Sequence, residues 1–143
     1  MRKREEAMPY KVLLVDDEEG ILEEATEALT EEGYECFPAN NVDDALAILR
    51  DDPGIALVVT DLKMPGKTGG DLIKEARATF DRDIKFIIMS GHGSPTVKTN
   101  GVDIDELPFL RKPLDIDEFL EVVEKVVAST GDKPGVGRGE NDD

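Results

Sequence analysis

The sequence predicts an open, doubly wound α/β sheet of five parallel strands with helices on both faces. Three observations predict it. Short apolar runs and segments of helical periodicity alternate five times along the chain. The first run, Lys11-Val12-Leu13-Leu14-Val15, is continuous rather than alternating, as a strand covered on both faces must be. The residues able to do chemistry (Asp16, Asp17, Asp61, Ser90 and Lys112) stand where the apolar runs end, which in such sheets is where ligand sites lie.

Residues 1–9 read as a polar lead-in, and the folded domain spans 10–129. After the first strand, Ile21, Leu22, Ala25, Ala28 and Leu29 recur at helical spacing, with Gly33 as the stop. Tyr34–Phe37 is a second short strand. Asn41 caps a helix with apolar positions Ala45, Ile48 and Leu49, closed by Pro53-Gly54. A third strand over 56–60 ends at Asp61, and Pro65-Gly66 then forces a turn. A helix from Thr68 to Ala78 buries Leu72, Ile73 and Ala76, and a fourth strand over Ile84–Met89 ends at Ser90-Gly91-His92-Gly93. Pro95, Gly101 and the acidic Asp103-Ile104-Asp105-Glu106 leave room only for a short or irregular fourth helix in 94–106. Leu107–Leu110 is the last strand. In the final helix Asp115 and Glu118 form a capping box, and Ile116, Phe119, Leu120, Val123, Val126 and Val127 form one stripe. The Gly-, Asp- and Pro-rich segment 130–143 reads as a disordered acidic tail. Right-handed crossovers then give the flavodoxin-like strand order 2-1-3-4-5.

Composition excludes several functions. The 143 residues suffice for one domain with a real core, but Trp is absent and aromatics are 5%, so Val, Leu, Ile and Ala must fill it. A net charge of −16 argues against nucleic acid and against a polybasic membrane contact. No apolar run approaches the ~20 residues of a membrane span, and no signal peptide is evident, so a cytoplasmic protein is expected. Cys36 is the sole cysteine, which rules out an internal disulfide and a cysteine-based zinc site. Its strand context predicts a buried, inert thiol.

Strands one and three are neighbours at the point where the strand order reverses, so Asp16, Asp17 and Asp61 should converge there. Carboxylates so close repel, and a group of this kind needs a cation. Oxygen-only ligands favour a hard ion, and Mg²⁺ would keep waters and accept a phosphoryl oxygen. The blander reading of Asp16-Asp17-Glu18-Glu19 is helix-dipole complementation, and it is assigned to Glu18 and Glu19. Lys112, held between a strand and a proline, can pair with Asp61 and then with an incoming phosphoryl group. Ser90 offers a hydroxyl to the same oxygens.

With these residues in place, the chain resembles the receiver domains of two-component response regulators. The matching motifs are Leu14-Val15-Asp16-Asp17-Glu18, Thr60-Asp61-Leu62-Lys63-Met64-Pro65-Gly66, Met89-Ser90-Gly91 and Phe109-Leu110-Arg111-Lys112-Pro113, over about residues 10–128. The resemblance implies that Asp61 is the phosphoacceptor, taking its phosphoryl group from a sensor histidine kinase or histidine phosphotransferase. It implies Mg²⁺ held by Asp16, Asp17, Asp61 and the Lys63 backbone carbonyl, with Ser90 and Lys112 on the phosphoryl oxygens. It further implies a switch formed by Ser90 and Phe109, and a cis peptide before Pro113. Such a protein is a phosphoacceptor, with metal-dependent self-phosphorylation and slow autodephosphorylation, rather than a turnover enzyme. The segment after Ser129 is too short for an effector domain. Output through an unidentified protein partner is therefore expected, or a place as relay intermediate or phosphate sink. The 101–113 stretch also resembles receivers fused to hybrid sensor kinases.

Rival readings fit less well. His92 lies between glycines after a strand, unlike a phosphohistidine carrier, whose histidine sits on a helix. A haloacid-dehalogenase-type phosphatase needs a second Asp two residues past its nucleophile, where this chain has Lys63. A flavin phosphate would be repelled by Asp16-Asp17-Glu18-Glu19. A receiver-like binding module that is never phosphorylated is the alternative.

Overall fold

The computed structural model describes residues 10–91 and 107–129. The expectations for the 1–9 lead-in, for His92 and the 94–106 helix, and for the 130–143 tail fall outside them. Five parallel strands form one sheet in the order β2-β1-β3-β4-β5. They are β1 (Lys11–Val15), β2 (Glu35–Ala39), β3 (Leu57–Asp61), β4 (Lys85–Ser90) and β5 (Phe109–Arg111). Among the described residues four helices accompany them: α1 (Glu19–Glu31), α2 (Val42–Asp51), α3 (Gly69–Thr79) and α4 (Ile116–Ala128).

Because side chains alternate across a strand, the two faces of the sheet carry separate cores. Leu13, Val15, Val58, Phe86 and Ile88 pack with Ala45 and Leu49 of α2 and Leu72, Ile73 and Ala76 of α3. Val12, Leu14, Leu57, Val59, Ile87 and Met89 pack on the other face with Leu22, Ala25 and Leu29 of α1 and Phe119 and Val123 of α4. Val12 through Val15 are fully buried, which is why β1 reads as a continuous apolar run.

Helix ends follow local chemistry. Asn41 accepts a hydrogen bond from the Asp44 amide at 2.7 Å. Gly33, at φ +96°, ends α1 in a conformation only glycine adopts freely. The capping box expected at Asp115–Glu118 is half realised, with Asp115 accepting from the Glu118 amide at 3.1 Å. The reciprocal box forms instead at Thr68–Asp71. It went unforeseen because the usual signature has Glu or Gln at its third position, and here the shorter Asp71 reaches back.

Strand boundaries shift by one or two residues. β2 runs on to Ala39 through Pro38, which an edge strand tolerates. β5 begins at Phe109 rather than Leu107, since Pro108 has no amide to donate, although its carbonyl already accepts from Ile88. β3 and β4 each lie one residue later than expected, taking in Asp61 and Ser90. Cys36 is half-buried rather than buried, because β2 lies at the sheet edge.

Candidate functional site

The order β2-β1-β3 puts the sheet's reversal point between β1 and β3, and the chain delivers a carboxylate on each side of it. Asp16 follows Val15 and is fully buried, whereas Asp61 is the last residue of β3 and 5% exposed. Asp17 lies beside them on the surface. One oxygen from each of the three carboxylates falls within a 4.8 Å cluster.

Lys112 enters from the end of β5. Its backbone amide donates to the Ser90 carbonyl at 2.9 Å, which locks the lysine to the end of β4. Its ammonium lies 2.7 Å from Asp16 Oδ2, 2.9 Å from Glu18 Oε1 and 3.0 Å from Asp61 Oδ2. The Lys112–Pro113 peptide is cis. Ser90 is buried at the end of β4, in register with Arg111. Phe109 stands further back on β5, opposite Ile88, half-buried against the α2–α3 core. Asp17, Glu18, Asp61, Lys63, Gly91, Lys112 and Pro113 line an open cleft at the rim.

The electrostatics of the group are unbalanced. The carboxylates of Asp16, Glu18 and Asp61 share the Lys112 ammonium, and that of Asp17 adds a further negative charge beside Asp16 and Asp61. Burial raises the Asp16 pKa and the charge of Asp61 adds to the rise, while Lys112 and the Glu18 amide oppose it. Burial works against the Lys112 charge too, but the carboxylates of Asp16, Glu18 and Asp61 outweigh it and hold the ammonium above its usual range. Asp16 Oδ1 accepts from the Glu18 amide at 2.9 Å. Asp16 Oδ2 is buried with the Lys112 ammonium 2.7 Å away, and a carboxylate oxygen so paired still has a second lone pair for a cation. A hard divalent cation fits this set: carboxylate oxygens only, excess negative charge, and one buried oxygen with coordinating capacity to spare.

Every described candidate site residue therefore lies at or next to this rim, except Phe109, which sits two pairs further down β5 than the Ser90–Arg111 pair. Two features were missed. Glu18, read as a helix-dipole residue, is an ion-pair partner of Lys112. Lys112 pairs with Asp16 as well as with Asp61. The first had a signal in its adjacency to Asp16-Asp17; the second depended on where the β5 backbone ends.

The family model described as response regulator receiver domain matches residues 12–124. The chain belongs to this family. Sporulation initiation phosphotransferase F of Bacillus subtilis is 35% identical over 119 residues, covering 82% of this chain and 94% of the relative. The sensor kinase CckA of Brucella abortus is 32% identical over 117 residues, 81% of this chain but 12% of that protein. Among solved structures, the signal receiver domain of an HD domain-containing protein from Pseudomonas fluorescens superposes with a TM-score of 0.77. That match covers 88% of this chain and 100% of the other at 21% identity, a likeness of fold. The chain spans only 43–55% of several longer response regulators. Receiver domains are signalling modules that bind Mg²⁺ at an acidic aspartate cluster and interact with histidine kinases or phosphotransferases. They are generally not turnover enzymes. No described helix of this receiver domain is long and apolar enough to cross a membrane.

Proposed function

We propose that Asp61 accepts a phosphoryl group from the phosphohistidine of a sensor histidine kinase or histidine phosphotransferase, in a Mg²⁺-dependent reaction. One observation carries this reading: a single ammonium, Lys112, lies within 3.0 Å of both the strand-end Asp61 and the buried Asp16. That is the arrangement an in-line phosphoryl transfer to a carboxylate needs. An Asp61 oxygen attacks phosphorus, the phosphorus–nitrogen bond breaks, and its electron pair returns to the imidazole of the donor. Asp16, Asp17, Asp61 and the Lys63 backbone carbonyl would hold Mg²⁺, which when bound neutralises charge on the phosphoryl oxygens.

Lys112 passes from the Asp61 carboxylate to a phosphoryl oxygen as the acyl phosphate forms. The Ser90 hydroxyl, at the end of the adjacent strand, donates to a second oxygen. Drawing Ser90 toward the phosphoryl group disturbs β4 where it pairs with β5, and Phe109 repacks. The two arrangements of β5 are the signal that a protein partner reads. A place as a relay intermediate or phosphate sink belongs to the same reading, as does a cytoplasmic site of action. The relative named a phosphotransferase, covered over 94% of its length, supports it.

Intact mass after incubation with acetyl phosphate and Mg²⁺ tests the proposal. The expected result is one phosphoryl adduct that requires the metal and disappears in Asp61→Asn. Absence of the adduct with acetyl phosphate and with phosphorylated kinase domains alike favours a binding module that is not phosphorylated.

A further inference from the structure

We infer that Gly69 and Thr60 are positioning residues for Asp61, holding its peptide so that its carboxylate meets Lys112 and Asp16. Pairing of β1 with β3 stops at Val15–Thr60, so Asp61 lies one residue past the end of the β1 ladder. On its other side it stays in register with Met89 of β4, and the Leu62 amide donates to the Met89 carbonyl at 3.0 Å. Asp61 is thus secured on one flank and has no ladder on the other.

Two residues replace the missing ladder. The buried Thr60 hydroxyl donates to the Asp61 carbonyl at 2.9 Å. The first residue of α3, Gly69, donates its amide to the Leu62 carbonyl at 2.9 Å and lies directly against the Asp61 carbonyl oxygen. A Cβ on Gly69 would collide with that oxygen and lie 3.2 Å from both the Asp61 carbonyl carbon and Leu62 Cα. Gly69 is not needed for an unusual backbone angle, since the positive-φ glycines among the described residues are Gly33 and Gly66. It is needed for space.

The helix cannot simply withdraw to make that space. Its start is fixed by the reciprocal Thr68–Asp71 bonds, and Leu72, Ile73 and Ala76 are buried in the core. A side chain at Gly69 therefore displaces the Asp61 peptide, and the carboxylate moves with it. Supporting interactions of this kind change metal affinity by about 10–100-fold, and a misplacement of about 1 Å at a reacting group slows a reaction by roughly 10²-fold.

The functional consequence rests on Asp61 being the phosphoacceptor; the geometric claim does not. The test compares Gly69→Ala with wild type and with Gly20→Ala, whose new methyl would meet nothing within 4 Å. Crystal structures should show the 3.0 Å Lys112–Asp61 ion pair broken in Gly69→Ala. Titration calorimetry should show Mg²⁺ binding weakened about 10–100-fold, with Gly20→Ala like wild type. Adduct formation with acetyl phosphate should slow about 10²-fold. If α3 shifts while the Lys112–Asp61 ion pair and the Mg²⁺ affinity survive, the inference is overturned. Should Gly69→Ala not fold, Thr60→Val must weaken Mg²⁺ binding and Thr60→Ser must restore it. Equal affinities in those two variants overturn the inference as well. A wild type that takes no phosphoryl group removes the phosphoacceptor reading, and the structural comparison still decides the role of Gly69.

Discussion

Replacing Lys112 with Met keeps most of its hydrophobic stem and deletes the charge that Asp16, Glu18 and Asp61 share. Asp16 is fully buried and Asp61 nearly so, and the Lys112 side chain is itself only 11% exposed. Removing one partner of a buried ion pair costs about 3–5 kcal/mol, because the remaining charge is left uncompensated. The mouth of the cleft is open and Glu18 is solvated, so the lower end, about 3 kcal/mol, is expected at pH 7 in EDTA. Urea unfolding followed by circular dichroism reads this as a shift in midpoint at unchanged slope. The pH dependence has a definite sign. The folded-state pKa of Asp16 is already raised by burial, and without Lys112 it rises further. A raised carboxyl favours the folded state below its unfolded pKa, and that advantage is lost as pH rises through the folded value. The deficit of Lys112→Met should therefore be largest at neutral pH and narrow as pH falls toward the acid range. A variant within about 0.5 kcal/mol of wild type at pH 7, the scatter of ordinary surface substitutions, would refute the view that this ammonium holds the acidic cluster together.

Three further outcomes are expected. Mg²⁺ at ten times its Kd should stabilise the wild type by about 1.4 kcal/mol through linkage, and Asp17→Asn should need more metal for the same gain. A thermal midpoint indifferent to Mg²⁺ would count against the metal site. Asn41→Ala removes the 2.7 Å acceptor for the Asp44 amide and should lower stability by about 1 kcal/mol in urea, independently of Mg²⁺. Burial, with some help from Glu35, pushes the Cys36 thiol up to about 11 from the usual 9.0, against a bond from Thr30. Thiolate at pH 8 is then about 100-fold scarcer, while its greater nucleophilicity returns roughly 10-fold. Reaction with an aromatic disulfide reagent should thus be about 10-fold slower than in the urea-unfolded chain, before access is counted. Equal rates would contradict the shift.

What the sequence determined by itself was whatever depends on neighbours along the chain. The continuous burial of Val12–Val15 dictated a strand covered on both faces. The stripe containing Phe119, Val123 and Val126 dictated the orientation of α4, and Asn41 and Gly33 marked helix ends by their own backbone chemistry. Because strand and helix alternate, the carboxyl ends of all strands had to share one rim, so Asp16, Asp61, Ser90 and Lys112 were legible as a group. Tertiary structure alone decided the approaches that join distant segments at ångström range. Adjacency to Asp16-Asp17 placed Glu18 near the rim, but not 2.9 Å from Lys112, and nothing local to Lys112 announces a second partner in Asp16. Gly69 looks like an ordinary helix-start glycine until the end of β3 is laid against it. Periodicity reports which face a residue turns toward. How closely two backbones approach is set by the packing of whole layers, and no single stretch of sequence contains that distance.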